Sequence, residues 1–174
     1  MGLDVTAYKK LTKWAGPCDE DGEPIDLERD YVRLYPSSDF VSRADGLEKG
    51  IYTYEDALDG FSGGYGGYNF WREELARLAG YEAIPYTRYG TTEMRHDAAV
   101  WNGATGPFSE LINFTDCDGL IGPVTAAKLA KDFAEFDERA KTFESEGRRN
   151  FYECYCEFRA SMDFAADGGA VQFH

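Results

Sequence analysis

The sequence predicts an α+β protein: a small meandering antiparallel sheet packed against several helices, with a C-terminal antiparallel αα-hairpin, in one globular domain spanning 1–174. Three observations carry this. Residues 1–60 alternate short β-type runs with Gly-, Pro- and Asp-containing turns. The last third carries two stripes of apolar residues spaced by threes and fours, the period of a helix face. A hydrophobic fraction of 43% with 16% aromatic residues suits one buried core, whereas two domains would be cramped in 174 residues.

In order along the chain, Val5, Ala7 and Leu11 lead to Lys13-Trp14-Ala15, and Gly16-Pro17 ends that run. Asp19 to Glu23 is turn chemistry, with Asp21-Gly22 as a hairpin signal. Tyr31 to Tyr35 alternates aromatic, β-branched and charged residues and stops at Pro36, so it reads as a strand pairing with the segment around Trp14. Asp39 to Gly50 is a polar loop, and Ile51 to Tyr54 a further short strand. From Asn69 the pattern is helical, with Trp71, Leu75 and Leu78 on one face and Gly80 as the stop. Residues 82–92 form a loop or strand, Glu93 to Trp101 a short helix, and Phe108 to Phe114 fits strand or helix equally.

Pro123 is well placed to open a long helix whose inner stripe is Leu129, Phe133, Phe136, Ala140 and Phe143. After a charged connection over 144–149, Phe151, Tyr155, Phe158, Met162 and Ala165 repeat the spacing, which predicts the αα-hairpin. Gly168-Gly169 closes the second helix, and Ala170 to His174 returns as an edge strand.

The net charge of −14 and sequence pI near 4.5 set this chain against nucleic-acid phosphates and anionic membrane surfaces, so neither direct nucleic-acid nor membrane binding is expected. Cys18, Cys117, Cys154 and Cys156 contain no C-x-x-C pair and no histidine at zinc-ligand spacing, which predicts a reducing cytoplasm, no metal and no cofactor.

The segment most suggestive of binding is Phe61-Ser62-Gly63-Gly64-Tyr65-Gly66-Gly67-Tyr68-Asn69-Phe70-Trp71-Arg72. Glycine clusters permit close backbone approach, aromatic rings supply contact area, and a helix entry presents unpaired N–H groups. It lacks the Lys-Ser/Thr ending of a phosphate loop and the spacing of a dinucleotide fingerprint. A bend whose aromatics fill the core explains it as well as a ligand surface does. Asn113-Phe114-Thr115-Asp116-Cys117-Asp118-Gly119 resembles part of a calcium loop without its far acidic ligand, and reads more readily as a turn capping the helix at Pro123. His96 is flanked by Arg95 and Asp97, with no local partner to orient it as a base. Asp19, Glu20, Asp21, Glu23 and Asp26 form the densest acidic run.

Five stretches carry a resemblance: the opening Met-Gly-Leu-Asp-Val-Thr-Ala-Tyr, Arg43 to Glu48, Gly67 to Leu75, Leu111 to Gly119, and the ending Ala166 to His174. Together they resemble a family of uncharacterised accessory proteins of tailed phages and prophages. The resemblance implies a phage-encoded protein of the host cell cytoplasm, acting in counter-defence or host modulation, and transfers no catalytic or binding residue.

The expectation is therefore a binding protein, leaning away from an enzyme, with no catalytic residue assigned. Its ligand, small and polar or nucleotide-like, is expected at Gly63, Gly64, Tyr65, Gly66, Gly67, Tyr68, Asn69, Trp71 and Arg72, assisted by Asn113, Thr115 and Asp116. The alternatives are an acidic inhibitor of a host protein, mimicking nucleic acid through its charge, and an enzyme in which His96, Cys117 and Asp116 or Asp118 converge. Homo-oligomerisation is compatible with any of these.

Overall fold

Leu3, Val5 and Ala7 alternate with Asp4, Thr6 and Tyr8 along the first strand, β1 (Gly2–Lys9), and this period-two pattern sorts the structure into layers. The computed structural model describes residues 2–147 and 150–174. The main sheet has four strands in the order β5 (Asp56–Gly64), β1, β9 (Ala170–Phe173) and β8 (Gly119–Ile121), every neighbour antiparallel. On one face Leu3, Val5, Ala7, Phe61, Ile121, Val171 and Phe173 pack against α1 (Tyr65–Ala79), α4 (Pro123–Lys141) and α5 (Phe151–Ala165). On the other face Leu120 and Ala170 meet Leu34, Ala44 and Tyr52. These come from a second sheet, ordered β2 (Thr12–Lys13), β4 (Gly50–Thr53) and β3 (Tyr31–Leu34), together with a 3₁₀ turn at Val41–Ala44. The layers are helices, main sheet and small sheet.

A two-stranded ribbon, β6 (Ile84–Arg88) and β7 (Thr91–Arg95), precedes two short helices, α2 (Asp97–Trp101) and α3 (Ser109–Ile112). The C-terminal helix pair is antiparallel as expected: Phe143 meets Phe151 at the turn, while Phe133 meets Tyr155 further along both helices. Among the described residues no helix is long and apolar enough to cross a membrane.

Several details differ from the sequence reading. The Tyr31 strand does not pair with the segment around Trp14; β4 lies between β3 and β2 and pairs with both. Glu93 to Trp101 is not one helix, because Thr91–Arg95 pairs with β6 before α2 begins. The terminal strand is not at an edge: β9 sits between β1 and β8, buried on both faces. Residues 108–114 resolve into α3, and α1 opens at Tyr65 rather than Asn69. The Asp21-Gly22 turn exists, but closes only an isolated bridge between Cys18 and Pro24. The connection expected at 144–149 falls partly outside the described residues.

Strand β5 escapes a propensity argument because glycines weaken strands. Gly60 suits a close approach: a Cβ there would lie 2.4 Å from Ser161 Oγ and 3.2 Å from the Val5 carbonyl oxygen, so the Ser161 hydroxyl would have to turn away and the strand backbone give by a few tenths of an ångström. Gly169 is tighter still, since a Cβ would come within 1.8 Å of the Tyr8 carbonyl oxygen. The neighbouring backbone is stitched to the segment just after β1 by Lys10 N–H to Asp167 O (3.0 Å) and Leu11 N–H to Gly168 O (2.9 Å). Gly169→Ala is expected to cost about 3 kcal/mol in urea unfolding, because only backbone movement relieves the clash. A loss below about 0.5 kcal/mol, the level of an ordinary surface change, would contradict this packing.

Candidate functional site

The Gly-aromatic segment is half strand and half helix. Gly63 and Gly64 end β5, paired with Leu3 and Gly2, and the chain turns helical at Tyr65. Tyr68, Trp71, Arg72 and Leu75 then follow at helical spacing on the buried face of α1. Trp71 stacks on Phe158 at 4.6 Å between ring centroids, and Phe61 and Tyr68 lie 5.2 and 5.6 Å from the same ring. Trp71 also donates from Nε1 to the Phe151 carbonyl oxygen at 3.3 Å, which fixes its orientation.

Arg72 is 5% exposed and its guanidinium lies 4.6 Å above the Tyr68 ring. It donates to the carbonyl oxygens of Phe114 and Ile112 and to Asn69 Oδ1. Asn69 in turn donates from Nδ2 to Asp116 Oδ2 at 2.7 Å. The two segments expected to form one site therefore do meet, and Arg72 Nη1 and Nη2, Asn69 and Asp116 are bonded to each other or to backbone, while Arg72 Nε and the Tyr68 hydroxyl are buried without a hydrogen-bond partner among the described residues. Burial pushes the Tyr68 phenol up to about 12, opposed by the Arg72 charge and reinforced by Asp116. Asn113 and Thr115 are half-buried beside this knot, and Thr115 Oγ1 accepts the Cys117 N–H at 3.1 Å.

What stays accessible is the first turn of α1. Gly64, at the N-cap, has no side chain to cap the helix, and added Cβ atoms at Gly66 and Gly67 would meet nothing within 4 Å. These two glycines form one wall of a cleft of about 420 Å³. Among the described residues the rest of the lining is Phe70, Trp71, Phe151, Cys154, Glu74, Glu146 and Gly147. Glu74 is buried and anchors the far wall, accepting from Ser145 Oγ, from Glu146 N–H at 2.8 Å and from Arg77 at 3.2 Å. That brings Gly147 against Phe70, where a Cβ would stand 3.2 Å from the ring. Of the expected site residues, Gly66, Gly67 and Trp71 reach the cleft. Gly63, Gly64, Tyr65, Tyr68, Asn69, Arg72, Asn113, Thr115 and Asp116 are not among its lining residues. Phe70, Glu74, Glu146, Gly147, Phe151 and Cys154 line the cleft without being among the expected site residues. Phe70 alone carried a signal, as an aromatic inside the glycine cluster.

The other sequence features have local partners. The Pro123 helix is not capped by Asp116 or Asp118 but by distant Asp45, which accepts from Thr125 N–H at 2.7 Å and Thr125 Oγ1 at 3.0 Å. His96 Nδ1 donates to the Tyr81 carbonyl oxygen at 2.6 Å, while Glu73 accepts the N–H groups of His96 and Asp97 at 2.9 and 2.8 Å. Burial, with Asp97 nearby, raises the Glu73 pKa above its ordinary range. His96, Cys117 and Asp116 thus each have different partners. In the acidic run, Asp19 Oδ1 accepts from the N–H groups of Asp21 and Glu23, while hydrogen bonds from Tyr31 and Arg33 hold the Glu23 carboxyl below its usual range. Among the described residues no group of three or more His, Cys, Asp or Glu side chains is placed to hold a metal ion.

Arg72→Met is expected to lower stability by about 3 kcal/mol in urea unfolding, because it strands two buried carbonyl groups and Asn69 Oδ1. A loss under about 1 kcal/mol would place the guanidinium in solvent.

Comparison of the chain with family models, with curated proteins and with solved structures finds no match.

Proposed function

We propose that this chain is a non-enzymatic binding protein. Its ligand is a small, flat, polar molecule, nucleotide-like in joining a ring to hydrogen-bonding groups, taken up between the first turns of α1 and the start of α5. The observation that carries this reading is the meeting, in one cleft of about 420 Å³, of aromatic walls with the uncapped N-terminal turn of α1. Ligand pockets of a few hundred Å³ combine apolar walls with a few polar groups that fix orientation. Exposed Phe70 offers the flat apolar contact in front of buried Trp71, and the N–H groups of Gly66 and Gly67 offer donors at the positive end of a helix dipole. Glu146, exposed at the rim, accepts from amino groups and disfavours a heavily charged anion. The balance points to a base or nucleoside part as the main anchor, with at most a modest negative charge at the helix end. Arg72 has no role in direct contact in this reading. A phage-encoded setting, in which such a protein sequesters or senses a small molecule of the infected cell, is part of the same proposal and rests on the family resemblance.

The test is a panel of nucleosides and nucleotides, read by Trp fluorescence and by thermal shift. A ligand of this site stabilises the fold by about 2.7 kcal/mol at a hundredfold excess over its dissociation constant. Gly67→Leu fills the cleft from a position where nothing crowds the new side chain, so binding should be lost while the circular dichroism spectrum is kept. A panel without any response, or Gly67→Leu binding as the wild type does, would sink the proposal.

A further inference from the structure

The β6–β7 ribbon has two free edges, and they are not equivalent. Its turn, Tyr89-Gly90, has both φ angles positive (50° and 79°), a two-residue loop that makes Arg88 and Thr91 a hydrogen-bonded pair. Alternation along an antiparallel ladder then makes Tyr86 with Glu93 and Ile84 with Arg95 the other bonded pairs. Thr87 with Thr92 and Pro85 with Met94 are the non-bonded pairs, whose backbone groups point away from the ribbon. The 2.7 Å contact between the Thr87 and Thr92 hydroxyls agrees, since side chains approach closest across non-bonded pairs. On the β6 edge one of the two outward residues is Pro85, which has no N–H to offer. On the β7 edge Thr92 and Met94 present N–H and C=O groups that meet no partner among the described residues. Thr91 to Met94 are all exposed, Met94 at 60%.

The root of the ribbon is held firmly. Arg95 pairs with buried Asp97 at 2.6 Å and lies 5.2 Å from the Trp101 ring, on which Tyr86 packs edge-on at 5.1 Å. An exposed, rigidly mounted strand edge with open hydrogen-bonding groups is a template for another strand.

We propose that this edge pairs with the same edge of a second copy, β7 against β7 about a two-fold axis, joining two ribbons into one four-stranded sheet. Charge selects the partner. With the axis at Met94, the two Met94 residues exchange the backbone hydrogen bonds, and Thr92 faces His96, whose N–H and C=O already serve Glu73 and Ala99. Each Glu93 faces Arg95 of the second copy, and the two exposed Met94 side chains cover each other. Glu93 already lies 3.3 Å from Arg95 in its own chain and Arg95 also pairs with Asp97, so the pairing forms a six-charge cluster in which each Arg95 is set among carboxylates. Centring on Glu93 instead would set two carboxylates opposite each other, which destabilises a sheet. Pro85 gives the assembly its limit: the outer edge of the new sheet is the proline-bearing strand, so pairing closes at two copies.

The experiment is sedimentation equilibrium of the full chain from about 10 μM to 1 mM, a range suited to a small interface. The mass should rise with concentration from 19.5 kDa toward twice that value. Met94→Pro removes an outward N–H without touching the ribbon's own ladder, as Pro85 does on the other strand. Glu93→Lys sets like charges opposite each other. Both positions are exposed, so circular dichroism should be unchanged, and each substitution should weaken association about tenfold or more. Should Met94→Pro disturb the ribbon, Glu93→Lys alone decides. A mass of 19.5 kDa throughout, or association that Glu93→Lys leaves intact, overturns the proposal.

Discussion

The arrangement of this protein depends on a guanidinium held inside it. Taking a charge out of water costs several kcal/mol, and Arg72 tolerates this because fixed dipoles replace its hydration at the two terminal nitrogens, while Nε has no hydrogen-bond partner among the described residues. The Tyr68 ring lies beneath it, two backbone carbonyls accept from it, and Asn69 completes the set. Those carbonyls belong to Ile112 and Phe114, so the charge ties α1 to the segment that leads into β8. The same helix face carries Trp71 into the aromatic stack with Phe158, which seats α5 over the sheet. Because the inner face of α1 is committed in this way, its first turn is left as the accessible part, and the cleft lies there.

A second regularity concerns carboxylates. Three helices are capped by acidic side chains from elsewhere in the fold: α4 by Asp45, α2 by Glu73 and α3, through Phe108 N–H, by Asp132. A carboxylate at a helix N-terminus satisfies unpaired N–H groups and meets the positive end of the dipole. Part of the strong negative charge is therefore structural, which weakens any argument that reads the net charge as purely a binding surface. Among the described residues only α5 shows a local side-chain cap, where Asn150 Oδ1 accepts from the N–H groups of Tyr152 and Glu153.

The legibility of the sequence follows from the range of the interactions involved. Apolar spacing on α4 and α5 is a local property, and the helix pair could be read from Leu129, Phe133, Phe136 and their counterparts. The place of β9 between β1 and β8 is not local, since a strand reading Ala-Val-Gln-Phe looks the same at an edge and in the middle. Strand β5 was hidden because Gly60 answers to Ser161, about a hundred residues away, and not to strand propensity. The glycines lie at the turn of the chain that borders the cleft, and Asn69 links that turn to Asp116 in the 113–118 segment. The composition of the cleft was hidden, because Phe151 and Cys154 arrive from α5 and Glu146 from the loop before it. An arginine in a glycine-aromatic run reads as a ligand contact; its burial becomes visible only once the Phe114 segment is folded over it.

The interior position of Tyr68 and Arg72 holds α1 to the rest of the fold, and the tyrosine offers the direct probe. A phenol raised from 10.0 to about 12 by burial favours the neutral form in the folded state. Its stabilising contribution is therefore complete below pH 10 and is lost as pH rises toward about 12. The measurement is an NMR titration of chain labelled with ¹³C at tyrosine Cζ, with the Tyr68 signal assigned by Tyr68→Phe. With Tyr68 buried, this signal stays at its neutral position through pH 10 and shifts only near pH 12 or on unfolding. A Tyr68 midpoint near 10 in the folded protein would contradict it.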